Sequence, residues 1–181
     1  MIQDWRPLIV KMVEVRQAID EADRERIWEY HWPRVGASEA QLSTVEQHLG
    51  FRLDLEYRTF LSAADGWPWF SQSVCLFGTN ELFGSPMLLA ANEMLDVCAP
   101  YLTECCGIAR SSVFPVAASA IDKDVFFMQV RGGVLMPPLV WLAGEEVDRF
   151  ESFGEFFASM IKYSQLDLQS LLKEGGSEGK A

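Results

Sequence analysis

The chain has 181 residues, of which 49% are hydrophobic and 12% aromatic, enough for one domain with a full core; two domains would each be small. Its formal net charge of −11 and pI near 4.6 exclude a nucleic-acid backbone and an anionic membrane surface as partners, because both would be repelled, and they favour a basic partner. A negative charge spread through the whole chain also serves solubility alone, so both readings stand.

In chain order, Leu8, Met12, Val15, Ile19 and Ala22 recur at alternating spacings of four and three, which predicts an amphipathic helix over 5–30 with Pro7 in its first turn. The opposite face carries Arg16, Asp20, Glu21, Asp23, Arg24 and Glu25, and His31-Trp32-Pro33 ends the helix because a residue before proline avoids the helical region. No signal peptide is evident, since Asp4, Arg6 and Lys11 interrupt the start, and the chain is expected to stay in the cytoplasm. No apolar run approaches the roughly 20 residues that span a bilayer.

Two short helices follow, over 39–49 and 55–64. Ser38 and Gln41 form a capping box, Leu42, Val45 and Leu49 share one face, and Gly50 supplies the left-handed stop. Asp54 caps the second helix, Tyr57, Phe60, Leu61 and Ala64 form its apolar stripe, and Asp65-Gly66 closes it. Glu46, Leu49, Gly50, Leu53, Tyr57, Arg58, Phe60, Leu61 and Gly66 together resemble the pattern of the SUKH superfamily, which includes the fungal cell-wall regulator Smi/Knr and many bacterial immunity proteins. Two positions depart from that pattern: Asp54 stands where the superfamily commonly has proline, and Asp65 where it has asparagine. Asp opens a helix as well as proline does.

Beyond Gly66, Trp67, Trp69 and Phe70 flank Pro68, which keeps the segment irregular. Such aromatics either fold back over the core or give rigid contact area to a partner. On the second reading they form the rim of a binding surface with the acidic residues Asp65 and Glu81. Val74 to Phe77 reads as a short strand, and Ser85-Pro86 opens a helix that runs over 86–99 to Pro100. Strands over 113–118, 125–130 and 139–142, separated by Asp122-Lys123 and Gly132-Gly133, form an antiparallel meander. Pro137-Pro138 must lie at a strand start or an edge.

Ser152 and Glu155 open the last helix, over 152–163, with Phe156, Phe157, Met160 and Ile161 on one face; Leu166, Leu168, Leu171 and Leu172 extend it or form another. Its phenylalanine-rich first turn is similar to the helix with which SUKH domains close. The predicted architecture is one α+β domain over 1–173, an antiparallel or mixed sheet packed by helices, with 174–181 a disordered tail.

Candidate chemistry is sparse. His31 and His48 form no zinc-type spacing with cysteines, so no metal is predicted, and no glycine-rich phosphate motif points to a cofactor. The pairs Asp122/Asp124 and Glu145/Glu146 suit acid–base work or, as turn residues, simple solvation. The four cysteines are expected to be reduced, and Cys105 or Cys106 would be a nucleophile only with a base beside it. The resemblance implies a non-enzymatic immunity protein that binds a cognate toxin, expected to be basic, and occludes its active site. A regulatory scaffold for a cellular protein and an enzyme of unknown type are the alternatives.

Overall fold

The computed structural model describes Ile2 and residues 4–177, the side chains of 174–177 excepted. Its centre is a six-stranded antiparallel meander in the order β1 (Trp67–Ser71), β2 (Val74–Leu76), β3 (Val113–Ser119), β4 (Val125–Arg131), β5 (Val134–Leu142) and β6 (Glu146–Phe150). The helices are α1 (Arg6–Ala22), α2 (Glu39–Leu49), α3 (Leu55–Ala63), α4 (Thr79–Leu82), α5 (Pro86–Val97), α6 (Ala99–Glu104) and α7 (Phe153–Ser177). This is the α+β architecture predicted, with an antiparallel sheet.

The α2–α3 corner forms through the caps written in the sequence. Ser38 Oγ accepts from the Gln41 amide while the Gln41 side chain accepts from the Ser38 amide, and Gly50 takes φ 74°. Asp54 Oδ1 accepts from the amides of Glu56 and Tyr57 at 3.0 and 3.1 Å. These bonds satisfy helix-end donors that would otherwise be orphaned.

One face of the sheet carries a row made by Ala117, Phe126 and Trp141, neighbours in register, and α7 lies on it, with the Phe156 ring tilted 5.4 Å from Phe126 and Tyr163 edge-on 6.0 Å from Trp141. The helices α1 and α3 close this layer. Trp5, Phe60, Phe153 and Phe157 meet with ring centroids 5.4–5.5 Å apart around the buried Trp5 indole, whose Nε1 donates to Thr59 Oγ1. The next row over, Ala118 and Val125, points to the opposite face, where α5 packs. Alternation along each strand thus supplies both faces of a three-layer core.

Several bounds differ from the sequence expectation. The first helix stops at Ala22 rather than near residue 30, because Asp23 Oδ2 captures the Trp28 amide at 3.0 Å and folds the chain back through Arg26 at φ 53°. The stretch holding Trp67 is a strand and not a loop: β1 is a sheet edge, where Pro68 needs no ladder donor. Helix 86–99 is split, since Pro100 starts a new helix within its first turn. The strand β6 was not anticipated, and α7 runs on to Ser177; of the tail expected over 174–181, residues 178–181 lie outside the described residues. Pro137-Pro138 sits within β5 where β6 has not yet joined and the β4 register slips, so the pair occupies an edge as expected. No helix of the described residues is long and apolar enough to cross a membrane.

Candidate partner-binding surface

The α3–β1 junction is a clasp built from charges and glycines. Asp65 is buried, and its carboxylate accepts from both the amide and the hydroxyl of Thr79 at 2.6 Å, which anchors the start of α4. Gly66 takes φ 77°, and the backbones of 65–66 and Gly78 pass so closely that a Cβ on Gly78 would sit 2.2 Å from the Asp65 carbonyl oxygen. Glu81 accepts from the Gly78 amide at 2.9 Å and from both terminal nitrogens of Arg34 at 2.6 and 2.8 Å. That bidentate carboxylate, ahead of partial burial, raises the Arg34 pKa further.

Arg34 belongs to a strap, residues 29–37, laid over this clasp. The Arg34 amide donates to the Gly66 carbonyl at 3.1 Å, Val35 bridges to Ala64, and the Ala37 amide donates to the Leu61 carbonyl at 2.8 Å. The strap fits because residue 36 is glycine, since a Cβ there would meet the Ser62 carbonyl oxygen at 2.1 Å. Trp67 completes the seam by donating its indole N–H to the His31 carbonyl at 2.8 Å.

The five residues expected at a binding rim are therefore brought together, but mostly inward. Trp67 and Phe70 are fully buried, with Phe70 5.1 Å from Phe157, so their rings give no contact area to a partner. Asp65 is consumed as a helix anchor and Glu81 is matched by Arg34, so neither carries a free charge toward solvent. The reason is that β1 leaves α3 directly into the sheet, so its aromatics face the α7 layer. Of the three aromatics Trp69 alone is partly exposed. It sits at φ 49° in an irregularity of the β1–β2 ladder, and its amide donates to Cys75 Sγ at 3.3 Å.

The strap itself offers apolar surface. Trp32 is 58% exposed and Val35 92% exposed, while Tyr30 packs edge-on against Trp32 at 5.7 Å. Burial raises the pKa of the Cys75 thiol, against the Trp69 amide that donates to it, and Glu81 adds to the rise. The sequence did contain a signal for this segment, the extended pre-proline run Tyr30-His31-Trp32-Pro33.

The other candidate groups take structural roles. Asp122 accepts from Ser73 Oγ, Asp124 from Trp141 Nε1 at 2.7 Å, and Glu146 is chelated by Arg149. Burial and then the neighbouring Glu146 push the Cys106 thiol up, the opposite of what a nucleophile needs. His31 pairs with Glu29, and His48 lies against Phe83, on separate elements.

The residues of the Leu49-Gly50 to Arg58 pattern form one bracket. Glu46, on α2, accepts from the Leu53 amide at 2.9 Å and pairs with Arg58, on α3, which also reaches Glu39. Tyr57, fully buried, donates to the Phe77 carbonyl at 2.7 Å and ties the bracket to the sheet. A family-model comparison matches the SMI1 / KNR4 family (SUKH-1) over residues 36–159. No curated protein matches the chain at a significant level. Because the match spans well over half of the chain and its bracket is intact, the chain belongs to the SMI1 / KNR4 family (SUKH-1).

Proposed function

We propose that this chain is an immunity protein, a cytoplasmic binding module that neutralises a cognate protein toxin by covering its active site rather than by catalysis. The observation that carries the reading is the strap surface: Trp32 and Val35 stand out in solvent on a segment that the clasp holds at four points, one of them Trp67 at the start of the strand that also carries Trp69. Large apolar side chains held rigid in solvent give contact area at small entropic cost. Both lie just outside the part of the chain that matches the family model, which suits a segment that selects this chain's own partner. The net charge of −11 favours rapid encounter with a basic toxin.

The test is co-purification with the product of the neighbouring toxin gene, followed by titration of the toxin with Trp32→Ala and Trp69→Ala. Each substitution is expected to weaken binding by about 2 kcal/mol, roughly 30-fold, with little change in melting temperature. A toxin bound and inhibited equally well by both variants would overturn the assignment of this surface, and a toxin that stays active in a tight complex would overturn the occlusion mechanism.

A further inference from the structure

Three turns of the meander gather at the end of the sheet away from the strap: Gln72-Ser73, residues 120–124, and residues 143–145. Between the second of these and α5 runs a groove of about 180 Å³, lined by Ala90, Ala91 and Met94 on the helix and by Ala118, Ile121 and Val125 on the sheet side. That volume is below the roughly 300–1,000 Å³ of small-molecule sites, and it suits one large apolar side chain. Ile121, at the groove's lip, is 71% exposed although its turn is rigid. Ser119 Oγ accepts from the amides of Ile121 and Asp122 at 3.1 and 2.7 Å and bonds to Ser73 Oγ at 2.8 Å. On α5 Leu89 and Val97 are also exposed.

The rim is net negative. Asp122 and Asp124 follow Ile121 in its turn, Glu93 stands on α5 one turn from Ala90, and Glu145 is exposed on the next turn. Against them stands Lys123; Arg110 and Arg149, the nearby arginines, are taken up by Asp96 and Glu146. A second copy of this chain would bring like charges face to face, and an anionic surface would be repelled. An apolar anchor flanked by lysines or arginines satisfies both the floor and the rim.

We infer that the groove between α5 and the β3–β4 turn docks a basic amphipathic segment of the protein partner, with one leucine- or phenylalanine-sized side chain seated over Ala90 and Met94 and its cationic neighbours facing Glu93, Asp122 and Asp124. The inference rests on the reading of the chain as a protein-binding module, and it adds a second contact, distinct from the strap.

The probe is a synthetic helical peptide of about 18 residues with leucines on one face and lysines on the other, compared with the same peptide carrying glutamates for lysines. Methyl NMR of the full chain is expected to shift at Ala90, Met94 and Ile121 with the lysine peptide and not with the glutamate peptide. Ala90→Trp, which fills the groove without changing charge, is expected to weaken binding at least about tenfold. Glu93→Gln with Asp122→Asn, both on the surface, should weaken it and flatten its salt dependence. Trp32→Ala should leave peptide binding unchanged, so a failure here is separable from a failure of the strap assignment. Equal binding of the two peptides, lysine-peptide binding that bypasses those methyls, or a dimer that Ala90→Trp dissolves would each overturn the inference.

Discussion

The Arg34–Glu81 pair provides the sharpest test of the clasp. The sequence places Glu81 at the rim of a binding surface, yet its side chain is only 14% exposed and accepts three hydrogen bonds. The perturbation is a double-mutant cycle with Arg34→Met and Glu81→Gln, which keep volume and, in the second case, the oxygen that faces the Gly78 amide. Bonds to charged groups contribute about 1.5–3 kcal/mol, and Arg34, about a third exposed, holds the pair toward the low end because water screens it. Each single change is thus expected to cost about 2 kcal/mol and the double change only slightly more, a coupling of about 1.5 kcal/mol. In urea at neutral pH, with m of about 2 kcal/mol/M, each single variant shifts the midpoint down by roughly 1 M. A coupling below about 0.5 kcal/mol would refute the clasp and return Glu81 to the surface. With the clasp in place, Glu81→Lys destabilises the fold, so its effect on association is not separable from unfolding.

Phe60 touches Trp5, Phe153 and Phe157, and Phe60→Ala is expected to cost about 3–5 kcal/mol by leaving a cavity; a melt shifted by less than a few degrees would show that the neighbours collapse into it. Gly78→Ala forces a methyl against the Asp65 carbonyl oxygen and should destabilise by about 3 kcal/mol, measurable in urea, whereas Gly132→Ala, with open space around it, should cost less. Burial raises the Glu56 pKa, but the amides of Gly154 and Ile2, at 2.8 and 3.0 Å, outweigh it, so the folded value lies below the ordinary 4.5. The stability from Glu56 is therefore present above pH 4.5 and lost as pH falls through the folded value. Glu56→Gln should cost about 2 kcal/mol at pH 7 and converge with the parent protein in acid; a constant difference across pH would show that the carboxylate's charge is not what holds the two amides.

The parts of the fold legible in the sequence are those fixed by local chemistry. Ser38, Gln41, Asp54 and Ser85 cap helices within three residues of themselves, and their caps form as written. The end of α1 was not legible, because the charged run after Ala22 suits a solvated helix face equally well until Asp23 turns to the Trp28 amide. Pro68 argued against a strand, and only the place of β1 at the sheet's edge removes that objection. Trp67 and Phe70 could be identified as needing an explanation, but their fate depended on His31 and Phe157, distant in sequence. For Glu81 the deciding partner lay 47 residues away.

Pairing also decides where the negative charge acts. Arginines take up Glu39, Glu46, Glu81, Asp96 and Glu146, and backbone amides take up Asp54, Glu56 and Asp65, so these carboxylates contribute to the fold more than to the field around it. Among the described residues Glu93, Asp122, Asp124 and Glu145, at the end of the sheet away from the strap, have no arginine partner, and on the strap itself Glu29 pairs only with His31. On the binding reading proposed above, the α5 groove would add charge that speeds encounter with a basic partner, while Trp32, Val35 and Trp69 would offer apolar contact that slows dissociation. If both proposals hold, Glu93→Gln with Asp122→Asn should lower a salt-sensitive on-rate and leave the lifetime of the complex, whereas Trp32→Ala should shorten that lifetime and leave the on-rate. Two contacts of this kind would let an acidic chain hold one basic partner among many, since charge attracts them all and only one shaped to the strap would stay.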